Sequence, residues 1–310
     1  MDNLSNNFGG KRYHPFSQFL RKRFGCKVYK LPVDAGFTCP NRDGKIGYGG
    51  CTYCYNRSFS PPTLRGKASI HDQIQLGKRK KGGKFLVYFQ PYTNTYADVE
   101  TLKKLYDEAS QDEDAVGLCI GTRPDCVPDE VLSLIQTYTE KYHIWVEYGL
   151  QSAHDRTLRL INRGHNFARF EDAVYRTQNR NIFICVHIIL GLPGETRADM
   201  LETARMLSHL PIDGLKIHHL QVIENTKMAE EYKTGKFNTL SFDEYLSLVV
   251  DVLELLPQNM VIQRLLGDVL DETILVSPRW NLKKHEVLSL IDEELEKRDS
   301  YQGVKYHEVR

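Results

Sequence analysis

From residue 27 onward, short apolar runs rich in β-branched residues alternate with stretches that carry apolar residues at helical spacing. Six runs have the length of strands and end at turn residues, namely 27–33, 85–90, 115–121, 144–151, 182–191 and 214–222. Helical patterns occupy residues 69–81, 98–110, 128–141, 154–178 and 196–209 between them. Parallel strands need crossover connections of this kind, so the pattern predicts a parallel α/β sheet. No GxGxxG fingerprint follows the first strand, which favours a barrel or partial barrel over a dinucleotide-binding fold.

The segments outside this alternation are predicted to accompany the barrel rather than to fold alone. Residues 15–24 have one apolar helical face with basic residues off that face, and residues 241–256 and 282–298 predict two further helices. The chain has no internal repeat and no long linker. The prediction is therefore a basic N-terminal segment at 1–26, a barrel at 27–235, and a helical C-terminal extension at 236–310 that packs on the barrel.

Composition narrows the class of protein. Of the 310 residues, 41% are hydrophobic, which is enough for one large core. No run approaches the roughly 20 apolar residues that a membrane-spanning helix needs, and the N-terminus lacks the apolar core of a secretion signal. Seven cysteines, an odd number, argue against a disulfide framework. We expect a soluble cytoplasmic protein without a membrane partner, whose oligomeric state is left open.

The net charge of +1 hides an uneven distribution of charge. Residues 1–84 contain 17 lysines and arginines but only four aspartates and no glutamate, whereas the remaining residues carry an excess of acidic side chains. A basic segment of this kind can neutralise phosphates, so it predicts a polyanionic partner. Two plainer explanations stay open: a solvated basic surface, or attraction between the two parts of the chain.

Three of the cysteines cluster in a glycine-rich loop after the first predicted strand. Cys39, Cys51 and Cys54 have the spacing C-x11-C-x2-C, with no fourth cysteine nearby. A structural zinc site takes four closed ligands and a 4Fe–4S cluster normally takes four thiolates, so three thiolates would leave one iron with an open position. Two other interpretations remain open: a zinc site completed by His71 or another remote residue, and reduced thiols without a ligand. The cysteines at 26, 119, 126 and 185 are dispersed and are predicted to pack as small apolar residues.

Further motifs follow the predicted strands. Besides Cys39…Cys51-Thr-Tyr-Cys54, they are Thr122-Arg-Pro-Asp125, Glu147-Tyr-Gly-Leu-Gln151-Ser152, Asn162-Arg-Gly-His165 and Gly191-Leu-Pro-Gly-Glu-Thr196. These residues resemble the radical S-adenosylmethionine (SAM) superfamily, in the branch with the elongator catalytic subunit and oxygen-independent coproporphyrinogen oxidase. Gln263-Arg-Leu-Leu-Gly-Asp268 and Pro278-Arg-Trp280 further resemble the YtqA/YhcC group, and the resemblance covers residues 27–305.

The resemblance implies a partial (β/α)6 TIM-like barrel that binds a 4Fe–4S cluster through Cys39, Cys51 and Cys54. SAM would lie across the C-terminal strand ends with its amino and carboxylate groups on the open iron, and the reduced cluster would cleave it to a 5′-deoxyadenosyl radical. Arg163 matches an arginine that pairs with the SAM carboxylate, and Leu192 lies in the apolar edge expected against the adenine. By position, the full set implied for SAM binding is Tyr29, Tyr53, Gln90, Gln151, Arg163, His187 and Leu192.

The sixth predicted strand would supply the substrate side of the site. Period-2 alternation puts Lys216 and His218 on one face and the odd-numbered residues 217, 219 and 221 on the other, and either face could be the lumen. We prefer Lys216 and His218, which together with Arg123 are the predicted catalytic residues. Further candidates are Tyr92, Tyr96, Arg264 and Asp268, although an Arg–Asp pair such as the last two more often forms a structural salt bridge than binds a substrate.

The resemblance implies that the substrate is the wobble uridine of tRNA, which agrees with the basic first quarter of the chain. The implied reaction converts 5-carboxymethylaminomethyl-(2-thio)uridine to the 5-aminomethyl form, because the radical would take a hydrogen from the carboxymethyl arm and that arm would then be lost. Arg123 or Lys216 could bind the carboxylate of the arm, and the basic residues at 78–84 would hold the polyanion close to the radical. An electron donor such as flavodoxin or ferredoxin is implied as a partner.

Two alternative functions stay open from the sequence. The first is a radical SAM enzyme that acts on a small molecule or tetrapyrrole, against which the basic first quarter argues. The second is a non-catalytic, zinc-dependent RNA-binding protein, which would leave the strand-end motifs without a purpose. A brown protein that cleaves SAM and binds tRNA in a strongly salt-dependent way would favour the leading hypothesis.

Overall fold

The computed structural model describes residues 8–58 and 69–307, and within them seven parallel strands form one sheet. In spatial order these are β1 (Tyr29–Val33), β2 (Phe85–Phe89), β3 (Ala115–Thr122), β4 (His143–Gln151), β5 (Phe183–Leu190), β6 (Gly214–His219) and β8 (Val261–Arg264). A separate antiparallel pair joins β7 (Val222–Ile223) to β9 (Leu275–Ser277). Because spatial order follows chain order from β1 to β6, the sheet has the connectivity of a barrel.

Helices connect the strands and pack on the outer face of the sheet. Side-chain caps begin several of them: Ser69 and Asp98 each accept a hydrogen bond from the backbone N–H three residues on, and Thr196 begins a capping box. No helix among the described residues has both the length and the apolar composition that crossing a membrane requires. The helices are α1 (Phe16–Phe24), α2 (Ile70–Lys81), α3 (Val99–Ser110), α4 (Asp129–Thr137), α5 (Asp155–Leu160), α6 (Phe167–Thr177), α7 (Arg197–Ser208), α8 (Lys227–Lys233), α9 (Phe242–Leu255) and α10 (Lys284–Lys297).

The predicted α/β partial barrel is confirmed, and each of the six predicted strands overlaps an observed one. The helical pattern at 154–178 is two helices, α5 and α6, because Asn162 and Gly164 take positive φ angles of 50° and 79° and reverse the chain between them. The C-terminal residues do more than pack on the barrel, since they contribute β8, which pairs with β6. The sequence did not predict β8 as a strand, because an alternating pattern over only four residues is too short to indicate one.

Side chains that point into the lumen form layers along the strands. On β4, alternation puts Trp145, Glu147 and Gly149 toward the lumen, whereas the residues between them face the helices. The layer at the N-terminal strand ends is apolar, and the rings of Phe16 and Phe19 on α1 meet Trp145 edge-on at 5.6 and 5.7 Å. Helix α1 therefore closes this end of the barrel, which leaves the polar layers to the other end.

Basic residues of α1 and α2 also lie at the closed end. Arg23 of α1 stacks over Phe183, the first residue of β5, at 5.6 Å. The C-terminal turn of α2 is there because a crossover helix returns the chain to the start of the next strand, and Lys78 Nζ binds Asp112 Oδ1 at 2.8 Å just before β3. The prediction that basic residues 78–84 hold a polyanion close to the cysteine loop does not agree with this geometry.

Candidate functional site

A cavity of about 250 Å³ opens among the C-terminal ends of the strands, the place where ligands bind in barrels. The cysteine loop after β1, the turns after β2 and β3, the ends of β4 to β6 and the segment after β8 form its wall. All but two of the predicted site residues come together there: Cys39, Cys51, Tyr53, Cys54, Gln90, Arg123, Gln151, Arg163, His187, Lys216 and His218.

The two exceptions are Tyr29 and Leu192. Tyr29 is the first residue of β1, so it lies at the closed end of the barrel, where its ring packs against Phe85 with centroids 5.8 Å apart. A cofactor at the C-terminal strand ends would contact residues near Val33, at the C-terminal end of β1, and not Tyr29. Leu192 is 2% exposed in the core between the sheet and the helices. Both assignments are corrected, and Ile189 and Leu220 supply apolar wall of the cavity instead.

Polar side chains hold the cysteine loop against the turn between α5 and α6. Asn41 Nδ2 donates to the Asn162 carbonyl at 2.6 Å, and Asn162 Nδ2 donates to the Gly50 carbonyl at 2.9 Å. Arg42 Nη2 donates to the Cys54 carbonyl at 2.6 Å. Gly50 has a φ of +83°, and a Cβ there would lie 2.9 Å from Arg42 Nε, so this turn requires glycine. The motif that begins at Asn162 therefore fixes the loop that carries the thiols.

Arg163 connects this loop to the end of β4. Its Nη1 donates to Cys51 Sγ at 3.5 Å, and its Nε and Nη2 donate to the Gly149 carbonyl at 3.1 and 2.5 Å. A Cβ on Gly149 would lie 2.8 Å from both Arg163 Nη2 and Gln151 Nε2, so the glycine leaves room for two side chains that line the cavity. One guanidinium thus contacts a thiol and also borders the open space beside it.

The three cysteines lie together on the cavity wall, where their thiols could share one bound metal group. Cys39, Cys51 and Cys54 are free thiols on one cavity wall. Burial raises the pKa of Cys51, but the adjacent Arg163 guanidinium outweighs burial and lowers it overall. Burial and the neighbouring Cys51 raise the pKa of Cys54. Within residues 8–58 and 69–307, no three His, Cys, Asp or Glu side chains converge on a point that could hold one metal ion, and His71 is exposed on α2.

A buried carboxylate on β4 organises the lumen below the cysteine loop. The Glu147 side chain is fully buried: Oε1 accepts from Lys30 Nζ, and Oε2 accepts from Lys216 Nζ and from His187 Nε2 at 3.0 Å. Lys216 Nζ also donates to the Tyr88 hydroxyl at 3.1 Å. Burial raises the pKa of Glu147, yet the Lys216 and Lys30 ammonium groups outweigh burial and hold it well below its ordinary value. Glu147 is therefore ionised, and the predicted catalytic Lys216 is bound to it.

Sequence reasoning quoted Glu147 within a motif but gave it no role. The signal that could have found it is the alternation along β4, because a charged residue two positions after a lumen-facing tryptophan needs a cationic partner on another strand. Lys30 was missed as well, since its partners are distant in sequence. Its Nζ also donates to Gln263 Oε1 at 2.6 Å, which joins the two edge strands of the sheet, β1 and β8, across the lumen.

Two neutral histidines lie beside this carboxylate. His187 and His218 are on adjacent strands, with ring centroids 5.7 Å apart. Burial and then Lys216 lower the pKa of His187 to about 4, and burial and then the Arg264 guanidinium lower that of His218 well below its ordinary value. His187 therefore donates from Nε2 to Glu147 and keeps Nδ1 as an acceptor. The resemblance implied that the His187 ring binds SAM, but in the structure this ring is hydrogen-bonded to Glu147. Lys216 and His218 both lie on the lumen face of β6, as predicted.

Several buried polar atoms on the cavity wall have no hydrogen-bond partner among the described residues. Arg123 is 2% exposed and forms a paired salt bridge with Asp125, in which Nε and Nη2 each lie 2.9 Å from a carboxylate oxygen, but its Nη1 is unpaired. The Thr93 hydroxyl and the Asn56 side-chain nitrogen are likewise unpaired. Buried polar groups are normally satisfied, so these atoms are available to a polar ligand in the cavity.

Exposed aromatic and basic side chains lie in the cysteine loop and in the turn after β2, and of these Tyr92 lines the cavity. Tyr48 in the cysteine loop is 79% exposed, and Tyr92 after β2 is 39% exposed with a φ of 63°. Lys45 Nζ lies 5.2 Å from the ring centre of Tyr96, which does not itself line the cavity. Exposed tyrosines offer flat faces on which a base can stack, and lysines attract phosphates.

Comparisons with known proteins identify the family of this chain. Two protein-family models match the chain, "Radical SAM superfamily" over residues 39–207 and "Radical_SAM C-terminal domain" over residues 212–297. The uncharacterized protein YtqA of Bacillus subtilis is 42% identical over 303 residues, which is 94% of this chain and 92% of YtqA. A tRNA uridine(34) acetyltransferase of Dehalococcoides mccartyi is 31% identical over 170 residues, which is 54% of this chain and 36% of that protein.

A solved structure shows the same fold. Methanocaldococcus infernus Elp3 with an N-terminal deletion superposes with a TM-score of 0.65 at 19% identity, over 89% of this chain and 64% of that one. Members of the matched superfamily are enzymes that use a 4Fe–4S cluster and SAM, so the predicted enzyme class and cofactors are confirmed. The chain belongs to the radical SAM superfamily and, by its similarity to YtqA, to the group that the sequence motifs indicated.

Proposed function

We propose that this protein modifies the wobble uridine of tRNA and converts its 5-carboxymethylaminomethyl side chain to the 5-aminomethyl form. The observation that carries the proposal is the 31% identity to a protein named tRNA uridine(34) acetyltransferase. The chain spans 36% of that relative, so the proposal transfers the nucleoside and not the acetyl transfer.

In this proposal the three thiols bind the cluster, and residues around them bind SAM. When bound, the cluster and SAM supply a 5′-deoxyadenosyl radical. The position of Arg163 supports the assignment, because a guanidinium that contacts Cys51 Sγ stabilises a thiolate and can also bind a carboxylate beside it. A flavodoxin or ferredoxin supplies the electron. The cluster ligands are Cys39, Cys51 and Cys54, and the SAM-binding residues are Tyr53, Gln90, Gln151 and Arg163.

The open end of the cavity supports a nucleic-acid substrate. Sequence-specific RNA recognition uses unpaired loop bases that stack on aromatic side chains, and the wobble base lies in such a loop. Tyr92 offers an exposed ring on the cavity wall, and the cysteine loop adds the exposed side chains of Tyr48 and Lys45. The base and its side arm would enter the cavity from this end. The phosphates would remain outside, on the surface.

The proposed reaction removes the two-carbon arm from the amine. A hydrogen atom is taken from the carbon between the amine and the carboxylate, which leaves a carbon radical. This radical gives up one further electron to a one-electron acceptor of the iron–sulfur class, and the resulting imine adds water. Cleavage of the carbon–nitrogen bond then releases the aminomethyl nucleoside and glyoxylate, so atoms and electrons balance.

The test combines a strain that lacks the gene with purified protein. We expect tRNA from that strain to accumulate 5-carboxymethylaminomethyl uridines and to lose the products of the aminomethyl form, as read by nucleoside mass spectrometry. Anaerobically reconstituted protein with SAM, a reductant and this tRNA should then form aminomethyl uridine and 5′-deoxyadenosine, and Cys54→Ala protein should form neither. Unchanged wobble uridines in the deletion strain would refute the tRNA substrate.

A further inference from the structure

The cationic side chains on the cavity wall differ in one respect, namely whether another group already binds them. Arg42 donates to the Cys54 carbonyl, and Lys216 is paired with Glu147. Arg123 is bound to Asp125, and Arg163 to Gly149 and Cys51. Arg264, at the end of β8, has no hydrogen bond or ion pair with any residue of the described ranges 8–58 and 69–307.

The acidic residues on the cavity wall do not offset Arg264. Two of the lining residues are acidic, Glu147 and Asp268. Glu147 is shared between Lys30 and Lys216, so the lumen already holds one positive charge in excess. The expected Arg264–Asp268 salt bridge is absent from the described residues, because Asp268 Oδ2 instead binds Lys284 Nζ at 2.5 Å. With Arg264, the excess in the lumen is two positive charges.

The groups around Arg264 add no negative charge. Tyr88 and His218 line the same wall, and the Arg264 guanidinium acts on both electrostatically. Burial raises the pKa of Tyr88, so its hydroxyl is neutral, and the His218 ring is neutral as argued above. Arg264 is partly exposed on the cavity wall, and an anion that enters from the open end would be stabilised by its unmatched positive charge.

We infer that Arg264 is the residue that binds an anionic group of the substrate, a carboxylate or a phosphate monoester, inside the lumen. The planar guanidinium can donate two parallel hydrogen bonds to either group. The identity of the substrate as a tRNA nucleoside rests on the proposed function, in which the group is the carboxylate of the arm. Arg264 then takes the role that the sequence offered to Arg123 or Lys216, both of which already have carboxylate partners.

The first test measures discrimination between two RNAs. Reconstituted protein with SAM and no reductant is titrated with anticodon stem–loops whose wobble uridine carries either the carboxymethylaminomethyl or the aminomethyl group. We expect the wild type to bind the carboxylate-bearing RNA about tenfold more tightly, because charge-assisted hydrogen bonds are stronger than neutral ones. Arg264→Gln should remove the preference and Arg264→Lys should keep part of it. The matched Arg205→Gln variant, on the exposed face of α7, should behave as the wild type.

The inference would be overturned if Arg264→Gln kept the full preference, or if the wild type bound both RNAs with equal affinity. Either result would leave the proposed function to its own test. If the wild type binds neither stem–loop, the nucleic-acid part of the proposed function fails and the second test decides. Calorimetric titration with acetate and with methyl phosphate then separates a carboxylate from a phosphate. Binding of either anion that is lost in Arg264→Gln supports the inference, and binding that does not depend on Arg264 overturns it. The visible cluster spectrum of each variant checks that it is folded.

Discussion

Replacing Glu147 by glutamine removes the negative charge that two lysines share in the lumen. The amide keeps the shape of the side chain, but its nitrogen would face the donors Lys216 Nζ and His187 Nε2. Both lysines are largely buried, since the side chain of Lys216 is 3% exposed and that of Lys30 is 18% exposed. Removing one partner of a buried ion pair costs about 3–5 kcal/mol. For a chain of 310 residues, this corresponds to a fall in melting temperature of about 5–8 °C.

The assay is anaerobic unfolding of the reconstituted protein by urea and by heat at pH 7, followed by circular dichroism. Glu202→Gln is the matched control, because Glu202 pairs with Arg205 on the surface and its loss should cost less than about 1 kcal/mol. Adding Lys216→Met to Glu147→Gln removes one unpaired cation and should restore part of the stability. If Glu147→Gln costs no more than Glu202→Gln, the argument that Glu147 neutralises the lumen is refuted.

Acidification tests the same carboxylate without a change of shape. The pKa of Glu147 is held below that of an unfolded chain, so its stabilisation is complete above about pH 4.3 and is lost as the pH falls from there through the folded pKa. When the pH is lowered from 5 to 3.5, the melting temperature of the wild type should therefore fall by more than that of Glu147→Gln. Equal losses would contradict the ionised state of Glu147.

Three further variants test other parts of the site. Cys54→Ala should abolish the visible iron–sulfur absorbance and SAM cleavage, whereas Cys26→Ala, outside the cavity, should keep the absorbance; a Cys54→Ala protein with full absorbance would contradict the ligand assignment. Gly149→Ala would bring a Cβ within 2.8 Å of Arg163 Nη2 and should lower SAM cleavage about 10- to 100-fold, and an unchanged rate would show that Arg163 does not act there. Tyr48→Ala should weaken tRNA binding in a filter assay by about 1–3 kcal/mol without lowering the melting temperature, and unchanged affinity would exclude base stacking on Tyr48.

The parts of the site that the sequence reveals are those set by local pattern. Alternation along the sixth strand places Lys216 and His218 on one face, and the structure shows that face toward the lumen. The spacing of Cys39, Cys51 and Cys54 within a glycine-rich loop indicates a shared site, and all three line one cavity. Both inferences need only the period of a strand or the reach of a short loop.

The parts that the sequence did not reveal depend on which distant segments meet. Lys30 has its partners 117 and 233 residues away, and no local pattern relates those positions. Arg264 and Asp268 are near each other in sequence, yet a lysine on α10 binds the aspartate and leaves the arginine without a partner among residues 8–58 and 69–307. Tyr29 was misplaced by one strand length, because it was assigned to SAM by its position on the first strand although that strand begins at Tyr29. Such errors follow from tertiary packing rather than from secondary structure.

The hydrogen bond between Lys30 and Gln263 has a consequence for biosynthesis. Lys30 on β1 is synthesised 233 residues before Gln263 on β8, the last strand of the main sheet. Until β8 has been synthesised, Lys30 cannot form this hydrogen bond. Contacts between such distant positions form late, because the intervening chain must first be ordered. A nascent protein truncated before β8 would therefore lack the last strand of the sheet and the part of the cavity wall that Arg264 and Asp268 supply.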